Sequence, residues 1–267
     1  MHKRIRYFLL ACLLLPSAAS ADVTILVHGY LTNGITWDRS GIVATMAAHE
    51  WHDGGPLMAS YQASPVIQGV NTLYVVELPF NAPLMVQSDI LQEQLQHAQL
   101  RHPDEKIILV GHSAGGVVAR MTLVRYGARQ VTHLITIAAP HLGTPLAIDG
   151  LKITRSSGPF NFVKKIAGGD AYDAARHSRA LFADLLPARP GTELFWLNSQ
   201  PHPDISYTSV IRADYDNIVP AASQDMNLVP ALQGKSAIYL TPGSHYLKSF
   251  DGRVVLSLLE QGDTPDL

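Results

Sequence analysis

Short, unbroken apolar runs alternate along this chain with longer stretches in which apolar residues recur every three or four positions. Val23-Thr24-Ile25-Leu26-Val27 is β-branched and almost wholly apolar, the pattern of a strand covered on both faces. Residues 73–76, 107–110, 134–137, 207–211 and 237–240 predict five more strands of the same kind. Residues 38–51 predict a helix with Ile42, Val43, Met46 and Ala47 on one side. Residues 84–101 predict a glutamine-rich helix that brings Leu84, Leu91, Leu95 and Ala98 to one face, and residues 114–126 another. A last helix carries Leu247, Phe250, Val254 and Leu258. Strands alternating with amphipathic helices imply an α/β fold around a mostly parallel sheet. There is no internal repeat and no low-complexity linker. Between Thr144 and Pro190 the pattern is interrupted for about 45 residues, longer than compact domains carry without a functional reason.

The first 21 residues read as an address rather than as part of the fold. His2, Lys3, Arg4 and Arg6 are followed by an apolar run, residues 7–15, then Pro16 and the small residues Ala19-Ser20-Ala21. This predicts a signal peptide cleaved near Ala21 and a secreted or periplasmic protein, with residues 22–267 as one domain. An uncleaved anchor is the competing reading, but the run falls far short of the ~20 residues a bilayer demands. A lipobox at Leu9-Leu10-Ala11-Cys12 is a third, with a very short apolar stretch before its cysteine. Cys12 is the only cysteine in the sequence, so residues 22–267 have no disulfide and no thiol chemistry.

Composition narrows the function classes. Of the 267 residues, 47% are hydrophobic and 16% charged, enough apolar material for a large core and too little charge for a disordered chain. The formal net charge is −2, from 20 basic and 22 acidic residues; without residues 1–21 the bases fall to 17 and the charge to −5. With no basic stripe, nucleic acid is not expected as a partner. His49-Glu50-Trp51-His52 lacks the spacing of a helical zinc site and reads as a solvated helix end. No dense acidic loop suggests calcium, and no metal or cofactor is expected.

The most informative local sequence is Gly111-His112-Ser113-Ala114-Gly115-Gly116, a G-x-S-x-G motif between a predicted strand and a predicted helix. A serine on so sharp a turn is exposed at the carboxyl edge of the sheet, beside a helix N-terminus whose N–H groups favour an anion. The flanking glycines allow strand and helix to approach closely. A glycine-rich turn with a helix-capping serine is the plainer alternative.

With this elbow, three further segments resemble α/β-hydrolases of the bacterial lipase and esterase kind. Val27-His28-Gly29-Tyr30 resembles their His-Gly segment after an early strand. Ala138-Ala139-Pro140-His141-Leu142-Gly143-Thr144-Pro145 resembles the segment after the strand that follows the elbow, and Asp216-Asn217-Ile218-Val219-Pro220 the one that holds the acid. The resemblance spans most of residues 22–250. It implies the α/β-hydrolase fold, a mostly parallel central sheet flanked by helices, with residues 145–190 as a cap or lid.

A serine nucleophile requires a base to take its proton and an acid to hold that base. In this fold the chain order is serine, acid, histidine. Of the histidines downstream of Ser113, only His245 lies in a loop between the last predicted strand and a helix. Asp214 and Asp216 both follow the 207–211 strand, and the resemblance favours Asp216. Ala114 is expected to supply one main-chain oxyanion donor and Tyr30 the other, with Leu31 as the alternative second donor. His28 and His112 are expected to be structural. Leu31 and, in the insertion, Phe162, Ile166 and Phe182 are the expected substrate-binding side chains. The resemblance implies a serine hydrolase of carboxylic esters, lipid esters among them, with transient contact to a lipid interface; the leader-like N-terminus adds export. An amidase, thioesterase or acyltransferase would use the same residues, and a binding protein on an inactive hydrolase fold is the rival of another class.

Overall fold

The structure, a computed structural model, describes residues 21–57, 65–67, 69–155 and 177–262. Except for Ala21, the expected leader lies outside the described residues, as do Phe162 and Ile166. Seven strands form one sheet: β1 (Asp22–Val27), β2 (His52–Pro56), β3 (Thr72–Val75), β4 (Lys106–His112), β5 (Val131–Ile137), β6 (Ser206–Arg212) and β7 (Ser236–Thr241). Their order is β2-β3-β1-β4-β5-β6-β7, and every neighbouring pair is parallel. The helices are α1 (Ile35–Arg39), α2 (Ile42–Ala47), α3 (Leu84–Arg101), α4 (Ala114–Tyr126), α5 (Pro145–Arg155), α6 (Arg179–Asp184), α7 (Glu193–Ser199), α8 (Ala221–Gln224) and α9 (Ser249–Gly262).

The apolar strand runs are explained by two cores, one on each face of the sheet. Val23, Ile25, Ile107, Leu109 and Leu134 pack toward α3, α4 and the helices of the insertion. Leu26, Ile108, Val110, Ile135 and Ile137 pack the other way, toward α1, α2 and α9. Because successive side chains of a strand point to opposite faces, a strand buried on both must be apolar at nearly every position. The edge strand β7 is different: Ile238 and Leu240 are 49% and 64% exposed.

Two expectations are corrected here. The helix expected over 38–51 is two short helices, because the backbone turns left-handed at Gly41, with φ of 80°. His52, read as part of a solvated helix end, instead opens β2, while Trp51 is buried. The chain begins its sheet in the middle, moves outward to β2 and β3, and then crosses to β4 on the other side of β1. That reversal makes the carboxyl ends of β1 and β4 the topological switch point, where sheets of this type bind ligands.

Candidate active site

Ser113 stands between β4 and α4 with φ 52° and ψ −130°, a backbone conformation that non-glycine residues rarely adopt. Its surroundings enforce the turn. The Ser113 N–H donates to the Ile137 carbonyl at the end of β5, 2.9 Å away. A Cβ on Gly111 would lie 2.5 Å from the Gly116 Cα, and one on Gly115 would lie 2.3 Å from the His28 carbonyl oxygen. Only glycine fits at either place, so β4 and the first turn of α4 close against each other and against the loop after β1.

Ser113 Oγ lies 2.9 Å from His245 Nε2, and His245 Nδ1 lies 2.8 Å from Asp216 Oδ2. The three side chains come from the loops after β4, β7 and β6, and they form one hydrogen-bonded line at the sheet's carboxyl edge. Ser113 and His245 are buried, and the Asp216 carboxylate is 1% exposed. Asp216 Oδ1 accepts the main-chain N–H groups of Ile218 and Val219, both at 2.9 Å, and Oδ2 also accepts from Gln224 Nε2 at 3.1 Å. Burial alone would raise the pKa of Asp216. The hydrogen bond and charge of His245, with those two N–H donors, outweigh it and hold the carboxyl below its ordinary value. A carboxylate accepting from Nδ1–H leaves Nε2 free to take the serine proton.

Asp214, the other candidate acid, is exposed and accepts the Gly243 N–H at 2.7 Å; among the described contacts it does not touch His245. Tyr30 and Leu31 follow β1, next to the close contact between Gly115 and His28, and Leu31 has φ of 57°. Ala114 is the first residue of α4. Phe182, on α6, is buried and stands edge-on to the Tyr30 ring at 5.3 Å. Its neighbours Leu181 and Leu185 are part of the core.

The histidines beside the serine have structural partners. His28 spans two loops: its Nδ1–H donates to the Gly29 carbonyl at 3.0 Å, and its Nε2 accepts the Leu78 N–H at 3.0 Å. His112 donates from Nε2 to the main-chain carbonyl of His245 at 2.9 Å. Complete burial, helped by the neighbouring His245 and Arg212, lowers the His112 pKa to about 3, so the ring stays neutral.

Three polar groups around the site were not foreseen. The Ser223 hydroxyl donates to the Gly143 carbonyl at 2.6 Å and accepts the Leu142 N–H at 3.1 Å, while Thr144 Oγ1 donates to the Ile218 carbonyl. These bonds tie the segment after β5 to the loop that carries Asp216. Arg212 and Asp251, both fully buried, form a two-pronged ion pair at 2.6 and 3.0 Å. Arg212 also reaches Thr241 Oγ1 at 3.0 Å, so the pair joins the ends of β6 and β7 to the start of α9. Gln224 is the third. No sequence signal marks these residues, since their partners, 5 to 81 residues away, are set by how the loops cross.

A family model described as "PGAP1-like alpha/beta domain" matches residues 61–165. A GPI inositol-deacylase of Phaeosphaeria nodorum is 30% identical over 158 residues, which is 46% of this chain and 15% of that protein. The chain thus spans only a small part of the curated relatives it matches. Among solved structures, a lipase-esterase related protein from Clostridium acetobutylicum superposes with a TM-score of 0.61 at 14% identity, covering 91% of this chain and 95% of the other. The mature lipase BlEst2 of Bacillus licheniformis gives 0.57 at 14% identity, covering 92% and 93%. The sheet order, the elbow at its switch point and these likenesses agree, and the chain has the α/β-hydrolase fold.

Proposed function

We propose that this protein is an exported serine hydrolase that cleaves carboxylic esters of lipids through an acyl-enzyme. The observation that carries the reading is the hydrogen-bonded line from Ser113 Oγ through His245 to Asp216, mounted on a strained, buried elbow. Ser113 Oγ attacks the ester carbonyl carbon while His245 Nε2 takes its proton. Asp216 keeps the imidazole in the tautomer that accepts at Nε2 and stabilises the imidazolium. The Ala114 and Tyr30 main-chain N–H groups hold the developing oxyanion, an effect worth about 3 kcal/mol per donor. The imidazolium then protonates the leaving alcohol. Water, activated by the same histidine, releases the acid and restores the serine. Export is supported by the leader-like residues 1–21. Among the described residues, no helix is long and apolar enough to cross a membrane.

The relatives named as GPI inositol-deacylases favour a narrower reading, in which the ester joins an acyl chain to an inositol-containing lipid. A fluorophosphonate probe and a chromogenic ester series of increasing chain length test the general proposal. The expected result is covalent labelling and ester turnover, both abolished by Ser113→Ala or His245→Ala, with the double variant little worse than either single one because the residues act as a unit. Failure of the folded protein to label or to turn over any ester overturns it. Release of fatty acid from an acylated phosphoinositol lipid, measured beside a simple triacylglycerol, tests the narrower reading.

A further inference from the structure

We propose that Gln224 is a positioning residue that aims the Asp216 carboxylate at His245; this rests on the reading of Ser113, His245 and Asp216 as a triad. Gln224 ends α8 and is 1% exposed. Its Oε1 accepts the Arg212 N–H at 2.9 Å, and its Nε2 donates to the Val219 carbonyl at 2.8 Å and to Asp216 Oδ2 at 3.1 Å. An N–H can only donate, and carbonyl and carboxylate oxygens can only accept, so these partners fix which end of the amide is nitrogen. Both amide protons are used. The side chain is therefore locked between the end of β6 and the loop that follows it.

The contact falls on a particular oxygen. Asp216 Oδ1 is held by two main-chain N–H groups, which anchor one side of the carboxylate. Oδ2 is the oxygen that meets His245 Nδ1, and among the described residues Gln224 is its only other bonded partner. The terminal torsion of an aspartate is broad. A second donor on Oδ2 fixes the carboxylate plane independently of the histidine, so the acid stays aimed while His245 gains and loses its proton in each half-reaction. The same donor takes part of the charge on Oδ2 and so limits how strongly Asp216 favours the imidazolium. Replacing the amide by a carboxylate would put two acids about 3 Å apart, where they cannot both ionise freely, and would add negative charge beside His245.

The test is a double-mutant cycle on the full chain, read with a short chromogenic ester and paired with a pH profile. Gln224→Met, which keeps the length but has no donor, is expected to lower kcat about tenfold or more with KM little changed. In the Asp216→Asn background the same change is expected to cost almost nothing further, because its effect runs through the carboxylate. Gln224→Glu is expected to move the acidic limb of the kcat/KM profile to higher pH by about one unit. An equal loss from Gln224→Met in both backgrounds assigns Gln224 to the local fold and overturns the proposal, as does an unmoved acidic limb in Gln224→Glu. If Gln224→Met does not fold, the profile of Gln224→Glu decides alone. An Asp216→Asn variant that keeps full activity overturns the triad reading itself, an outcome distinct from failure of the cycle.

Discussion

Asp214 and Asp216, two residues apart, both bond the loop that carries His245, but at different points. Asp214 accepts the Gly243 N–H, whereas Asp216 accepts from the imidazole itself. Asp216→Asn is therefore expected to lower turnover by several orders of magnitude, since the imidazole loses the partner that fixes its tautomer. Asp214→Asn is expected to change kcat only modestly. Steady-state kinetics on one ester decides the matter, and the reverse ranking would move the acid to Asp214.

Phe182 lies in the insertion but packs against Tyr30, the residue whose N–H is assigned to the oxyanion. If the insertion lines the acyl site, Phe182→Ala lowers kcat/KM for long-chain esters by about 1–3 kcal/mol more than for acetate esters. If Phe182 only supports Tyr30, all chain lengths fall together. A chain-length series separates the outcomes, with thermal stability measured alongside because Phe182 is buried.

The Arg212–Asp251 pair makes a stability prediction. Both side chains are fully buried, so removing one leaves the other charge without its partner. Asp251→Ala is expected to cost about 3–5 kcal/mol in urea unfolding. A paired change to two apolar residues of similar volume is expected to cost much less than the single one. Equal losses would show that the ion pair is not the source of the effect.

Stability is expected to fall on mild acidification. Burial lowers the pKa of His112 to about 3 and those of His133 and His202 to about 4; it depresses His28 and His141 as well. His202 Nε2 faces Arg120 Nη1 at 3.2 Å, a donor that a protonated ring could not accept. The unfolded chain takes up these protons near pH 6.5, while the folded protein refuses them down to about 4. Unfolding thus gains protons, and the stability present above pH 6.5 is lost as pH falls through that window, by up to about 1.4 kcal/mol per pH unit for the fully buried His112. Asp184 acts in the opposite sense: burial raises its carboxyl to about 6, so its contribution to stability weakens as pH rises. Melting temperatures from pH 7.5 to 4.5 should fall steadily, and a flat profile would contradict the sign.

Much of the fold was legible because its strands are buried on both faces. Such strands must be apolar throughout, and β1, β4 and β5 announce themselves that way. β2 does not: His52-Asp53-Gly54-Gly55-Pro56 has no β-branched residue, and it is a strand through its pairing with β3, with a register shift between Asp53 and Pro56. Ser113 could be placed because the elbow is local, and His245 because of its position after the last strand. The two aspartates could not be separated from their neighbourhood alone, since which one faces the imidazole depends on how the loops after β6 and β7 cross. Gln224 and the Arg212–Asp251 pair were invisible for the same reason. Their bonds span 5 to 39 residues of chain, and nothing in a lone glutamine or arginine records such a partner.

Ser113 rises from β4, near the middle of the sheet, but His245 hangs from β7, an edge strand and the most exposed of the seven. Strands at a margin open more readily than those paired and covered on both sides, with free energies well below that of global unfolding. Each brief detachment of β7 would carry His245 away from Ser113 and leave the rest of the sheet intact. On the proposed function, warming or denaturant should therefore abolish ester turnover before the circular dichroism changes, and amide exchange in residues 236–241 should follow the loss of turnover rather than the melting of the core.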